Sequence, residues 1–164
     1  MFSKRQILAL PSAWLLLAGQ AQAQTAARIV VWKSERRMVA YDAAGRALQT
    51  FHIALGPSPK GHKSEEGDGR TPEGLYKISG RNKASGYHLS LRVSYPNAAD
   101  LAQAKARGVS PGGDIFIHGQ PNGTLPGKLK IPYDWTAGCI AVSNAEIEAL
   151  WAIVANGTPI DIKP

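Results

Sequence analysis

Alternation of apolar and polar residues dominates the chain from residue 28 to residue 95. In RIVVWKSERRMVAYDAAGRALQTFHIAL (28–55), β-branched and aromatic residues gather into three short runs separated by polar turns at 33–36 and 42–45. That pattern predicts three strands. TPEGLYKISGRN opens a further strand after a Pro-containing turn. YHLSLRVSYP then alternates cleanly, with Leu89, Leu91, Val93 and Tyr95 on one face and His88, Ser90, Arg92 and Ser94 on the other. GDIFIHG (113–119) reads as a short apolar strand ending at His118, and TPIDIKP closes the chain as a last strand.

Helical spacing occurs twice. NAADLAQAKARG (97–108) is a short helix with Asn97 as its N-cap and Gly108 as its stop. Ser143 followed three residues later by Glu146 forms a capping box. Ile147, Leu150, Trp151 and Val154 follow at i, i+3, i+4 and i+7 as one apolar stripe, and Gly157 is the expected end. The chain thus reads as mostly β, a β-rich α+β domain with one or two helices packed on the sheet. Between these elements, GPSPKGHKSEEGDGR (56–70) is a long loop rich in Gly, Pro and charge, of a kind that is commonly functional.

The first residues follow a different rule. Lys4 and Arg5 precede an apolar stretch from Ile7 to Ala18, and Ala21-Gln22-Ala23 places small residues where a signal peptidase reads. Residues 1–23 are therefore expected to be a cleaved secretory signal, and 24–164 one domain. The apolar stretch is too short for a comfortable membrane span. The expected product is periplasmic, without stable membrane insertion after cleavage.

The whole chain carries a net charge of +7, and losing Lys4 and Arg5 leaves +5. That excess favours polyanionic neighbours such as cell-wall polymers. Lys/Arg runs interleaved with aromatics are missing, so nucleic acid is not an expected partner. No His-x-His or His-Glu-x-x-His occurs, so no metal site and no other cofactor is implied.

Cys139 is the single cysteine. An unpaired thiol in an exported protein is either a small inert core residue or a chemically useful one. Gly138 permits a tight turn and close approach of a substrate, and the helix beginning near Asn144 would point its positive end at that turn. Among four histidines, His118 is the best candidate base, because it ends a strand and enters a loop that returns to Cys139. Its bland alternative is a structural histidine bonded to backbone. His62, in the long loop, is a candidate substrate contact. Trp135 either lines a cleft or packs the loop. Thr136 and Asn144 either position the thiol or serve as turn and backbone-bonding residues.

IHG (117–119) followed by TAGCIAVSN (136–144) resembles the signature of the L,D-transpeptidase catalytic domain, or YkuD, family. GHKSEEGDGRTPEGLYKI (61–78) resembles the strand entry of the same domain, and HLSLRVSYPN (88–97) with DWTAGCIAV (134–142) is closest to the YafK-like branch. The resemblance implies a YkuD-type fold and acyl transfer on peptidoglycan stem peptides through a thioester. It implies Cys139 as nucleophile, His118 as general base, and backbone N–H groups of Gly138 and Cys139 for the oxyanion. Gly119, Lys63 and Arg70 are candidate substrate contacts. The chain departs from the common pattern at Ala137, where many members have a second His, and at Ala141, where many have an Arg. Lys60, Lys63 or Arg70 are expected to take over the pairing with a substrate carboxylate. Three activities stay open: cross-linking or protein-attaching acyl transfer; hydrolysis of the same bonds or release of a wall-linked lipoprotein; and stem-peptide binding without chemistry.

Overall fold

The computed structural model of the protein describes residues 24–164; the expected signal segment, 1–23, lies outside them. The three runs of 28–55 form β1 (Arg28–Trp32), β2 (Arg37–Tyr41) and β3 (Ala47–His52), turning where the polar residues stand. β4 (Gly74–Ser85) and β5 (His88–Val93) follow the long loop, then α1 (Ala98–Arg107), β6 (Phe116–His118), β7 (Ile140–Ala141), α2 (Asn144–Ile153) and β8 (Pro159–Lys163).

The strands make one eight-stranded sheet in the order β3-β2-β1-β8-β4-β5-β6-β7. β4 joins its two halves, pairing with β8 through Gly74–Lys77 and with β5 from Ile78 onward. Two pairs are parallel: β1 with β8, and β6 with β7. One sheet face supplies the core, with Ile29, Val31, Met38, Ile78, Leu91, Ile117, Ile140, Ile160 and Ile162 all sealed from solvent. α2 lies against β5 and β6. It contributes Ile147 and Leu150, whose burial stabilises the fold by roughly 1.5–3 kcal/mol each.

Local signals set both helix starts. Asn97 accepts from the Ala99 and Asp100 N–H groups while Asp100 accepts from the Asn97 N–H, and Gly108 stops α1 at φ 68°. Ser143 and Glu146 form the reciprocal pair at α2. α2 ends earlier than Gly157 suggested. Val154 leaves the helix in an extended conformation and is buried, and Gly157 instead turns the chain into β8 at φ 90°. Among the described residues no helix is long and apolar enough to cross a membrane.

Candidate active site

Cys139 stands at the head of β7. The register Ile117↔Ile140 and His118↔Ala141 continues to set Cys139 beside Phe116 on the neighbouring parallel strand. His118 is two positions further along β6. With strands ~4.8 Å apart and a rise of ~3.3 Å per residue, the two Cα atoms lie roughly 8 Å from one another. That separation lets a cysteine and a histidine side chain meet.

The turn before the thiol is tightly built. Gly138 has φ 124°, and a Cβ on it would fall 2.6 Å from the Arg70 carbonyl oxygen, so only glycine fits. Thr71 Oγ1 donates to the Gly138 carbonyl at 2.8 Å. Thr136 Oγ1 donates to the Cys139 carbonyl at 2.7 Å and accepts the Gly138 N–H at 3.2 Å. Thr136 is therefore a turn-holding residue. The Gly138 amide is spent on it, contrary to its expected availability for an oxyanion. The Cys139 N–H makes no backbone hydrogen bond among the described residues and is the amide left open for that purpose.

The thiol is half-buried and donates from Sγ to the Asp114 carbonyl at 3.5 Å. Burial pushes its pKa up and the Asp114 charge adds to this, while the Phe116 amide and Lys63 act in the opposite direction. The resting sulfur is thus a thiol. The expected help from the α2 dipole is not available, because Ile140, Ala141 and Val142 separate Cys139 from a helix whose first amides Ser143 already caps.

His118 is almost wholly buried. Its Nδ1–H donates to the Gly119 carbonyl at 2.7 Å, since a carbonyl only accepts; that bond fixes the tautomer and leaves the Nε2 lone pair unprotonated. Among the described residues Nε2 has no hydrogen-bond partner and is not one of the sealed unpartnered atoms. Burial lowers the pKa of His118, with the Gly119 bond opposing, and so keeps the ring neutral. Tyr87 lies over the imidazole with ring centroids 4.5 Å apart, and Trp135 meets it edge-on at 5.6 Å. A protonated thiol and a neutral imidazole with an unprotonated Nε2, set on neighbouring strands, are the two groups that proton transfer during nucleophilic attack requires.

The other candidates divide. Asn144 accepts the Gln120 N–H at 2.8 Å and donates to the Leu125 carbonyl at 3.1 Å, which holds the loop leaving His118. Gly119 is buried, and a Cβ on it would lie 2.6 Å from Asn144 Oδ1, so its role is close packing. Trp135 lines the histidine and anchors its loop through its backbone N–H, which donates to the Leu55 carbonyl at 2.9 Å. His62 is not free for substrate: Nδ1 accepts the Glu73 N–H at 3.0 Å, and Nε2 meets Asp100 at 3.1 Å. Lys63 is sealed, with Nζ 2.8 Å from Asp68. The Arg70 guanidinium lies against Gly61, while its carbonyl faces Gly138.

Sequence reasoning missed Tyr87 and Asp114. Tyr87 carried no pattern beyond the start of a strand, and the contact of Asp114 with the thiol arises only from the pairing of β6 and β7. Among the described residues no three His, Cys, Asp or Glu side chains gather as a bound metal would require.

Comparison with known proteins agrees with this architecture. Residues 26–162 match the family model described as the L,D-transpeptidase catalytic domain, YkuD. Over 132 residues the chain is 27% identical to the putative L,D-transpeptidase YafK of Escherichia coli, a match that covers 77% of this chain and 46% of the relative. The crystal structure of Pgp2, a helical cell shape determining protein of Campylobacter jejuni, superposes with a TM-score of 0.64 at 26% identity, covering 83% of this chain and 47% of that one. An L,D-transpeptidase from Xylanimonas cellulosilytica shares the fold with a TM-score of 0.54 at 16% identity, covering 87% and 62%. The chain spans about half the length of YafK and Pgp2. On the match across nearly all of its described residues, the chain belongs to the YkuD family of L,D-transpeptidase catalytic domains.

Proposed function

We propose that the protein is a periplasmic cysteine acyltransferase of the L,D-transpeptidase type, acting on peptidoglycan stem peptides during cell-wall remodelling. The observation that carries the reading is the parallel pairing of β6 with β7, which brings a half-buried thiol and a neutral imidazole with an unprotonated Nε2 onto adjacent strands.

In this reading Cys139 Sγ attacks the amide carbonyl between diaminopimelate and the terminal D-alanine, and His118 Nε2 takes the thiol proton. The tetrahedral oxyanion receives the Cys139 N–H, a contact of a kind whose removal costs about 100- to 1000-fold in rate. The C–N bond breaks as the imidazolium returns the proton to the departing amine, leaving a thioester on Cys139. An amine acceptor then attacks the thioester, giving its proton to His118, and the thiol is regenerated. The structural neighbour named for cell shape and the leader-like segment 1–23 support the wall and the periplasm as the setting.

Incubation with purified tetrapeptide muropeptides, followed by mass spectrometry, tests the proposal. Dimers joined by a diaminopimelate-to-diaminopimelate bond, formed by the wild type and not by Cys139→Ser, are expected. Loss of D-alanine alone would make the protein a hydrolase. Bound peptide with no acylated cysteine would make it a binding module.

A further inference from the structure

Stem peptides are rich in carboxylates, and the site needs a cation to orient one. Two of the candidates from the long loop are occupied elsewhere, Lys63 sealed against Asp68 and Arg70 lying against Gly61, while Lys60 is exposed with no ion-pair partner among the described residues. A different cation stands on the same row of the sheet as the thiol, one strand removed from it. Arg92 on β5 is directly opposite Phe116 on β6, and Phe116 in turn is beside Cys139. Cross-strand partners share a face of a sheet, so Arg92, Phe116 and the head of β7 form one row.

Arg92 and Cys139 also converge on one residue. Arg92 Nη2 is 2.9 Å from Asp114 Oδ1, while Cys139 Sγ donates to the Asp114 carbonyl at 3.5 Å. The guanidinium sits over the Phe116 ring, 5.9 Å from its centroid, which holds its charged head above the sheet. The pair is open to water, with the Arg92 side chain 52% and the Asp114 side chain 78% exposed. An ion pair so exposed is weak, so exchange of one carboxylate for another costs little. A guanidinium also offers a forked, bidentate seat that an ammonium lacks.

We propose that Arg92 is the carboxylate-binding, specificity-determining residue of this site, releasing Asp114 to pair with a free carboxylate of the donor peptide next to the scissile amide. This rests on the stem-peptide reading above, but it concerns binding and is testable without turnover. Two donor carboxylates qualify, that of the diaminopimelate side chain and that of the terminal D-alanine, and single amidation of each distinguishes them.

The test uses the Cys139→Ser protein, which removes the proposed nucleophile, titrated calorimetrically with a synthetic tetrapeptide. Adding Arg92→Gln should weaken binding about 10- to 100-fold, as for loss of a charge-assisted bond. Arg92→Lys should recover part of it. Amidating the engaged carboxylate should weaken binding to the protein that keeps Arg92 by a similar factor and leave the Arg92→Gln protein unaffected. Asp114→Asn, which removes the competing carboxylate, should tighten binding. Equal affinity for the free-acid peptide with and without Arg92→Gln, equal losses on amidation in both, or no binding at all would overturn the proposal. Binding that follows this pattern in a protein whose unsubstituted form forms no thioester would uphold it while refuting the acyltransferase reading.

Discussion

Replacement of Gly138 by alanine tests whether the thiol is held by the close approach of two backbones. Gly138 adopts φ 124°, which L side chains rarely enter, and its Cβ would sit 2.6 Å from the Arg70 carbonyl oxygen and 3.3 Å from the Arg70 carbonyl carbon. The obstacle is backbone, so it cannot rotate aside. The left-handed conformation alone costs about 1–3 kcal/mol. Displacing the turn to relieve the clash costs about 1–3 kcal/mol more. It also disturbs the Thr71 and Thr136 bonds to this turn. The control is Gly67→Ala, because Gly67 has φ 79° with nothing within 4 Å of its Cβ and so bears the conformational cost without the clash. Urea unfolding should therefore place Gly138→Ala about 1–3 kcal/mol below Gly67→Ala. In single-turnover acylation under folded conditions, Gly138→Ala should lose at least about 100-fold, since misplacing the nucleophile by roughly 1 Å has that effect, whereas Gly67→Ala should keep its rate. Equal stability and equal rates for the two variants would refute the idea that the approach of Arg70 to Gly138 sets the thiol.

Other outcomes follow from the charges around the site. Asp114→Asn removes a negative charge that raises the thiol pKa, so Cys139 should be alkylated faster by iodoacetamide at neutral pH; an unchanged rate would separate Asp114 from the thiol. Because burial lowers the folded pKa of His118 below its unfolded value of about 6.5, its stabilising contribution is present above pH ~6.5 and is lost as pH falls toward the folded pKa. His118→Gln should remove that segment of the stability–pH curve, read by chemical denaturation at successive pH values. Burial pushes Asp68 up, but the Lys63 ammonium and the Ser64, Arg70 and Glu65 amides outweigh it and hold its pKa at about 2. Its contribution is thus present above the unfolded pKa near 3.9 and fades as pH falls toward about 2. Asp68→Asn, which leaves the Lys63 charge buried without its partner, should destabilise the domain by about 3 kcal/mol at pH 7 in the same assay.

What could be read in the sequence was local. Asn97 with Gly108, and Ser143 with Glu146, mark helix ends because each cap bonds amides within three or four residues of itself. The alternation at 88–95 gave the sheet faces, since Leu91, Val93 and Tyr95 are buried and Arg92 is exposed. The end of a strand at His118 and the glycine turn before Cys139 were also legible, and β6 and β7 set the two residues on neighbouring strands. What was hidden depends on distant pairings. β7 is two residues long, too short to carry a period, yet it inserts itself between Cys139 and α2 and removes the expected dipole. His62 looked available until α1 brought Asp100 against it, and Lys63 until the loop folded Asp68 back on it. The convergence of Arg92 and Cys139 on Asp114 arises from three strands contributed by separate stretches of chain.

The central claim is that His118 takes a proton from Cys139 as a thioester forms. Single-turnover acylation by a tetrapeptide donor, followed by intact-protein mass and peptide mapping, tests it most directly in the wild type, Cys139→Ser and His118→Ala. The wild type should gain the donor acyl group on Cys139 with release of D-alanine, Cys139→Ser should gain nothing, and His118→Ala should be slowed about 100- to 10,000-fold while staying folded. Acylation of His118→Ala at the wild-type rate, or an acyl group mapped to another residue, would contradict the account.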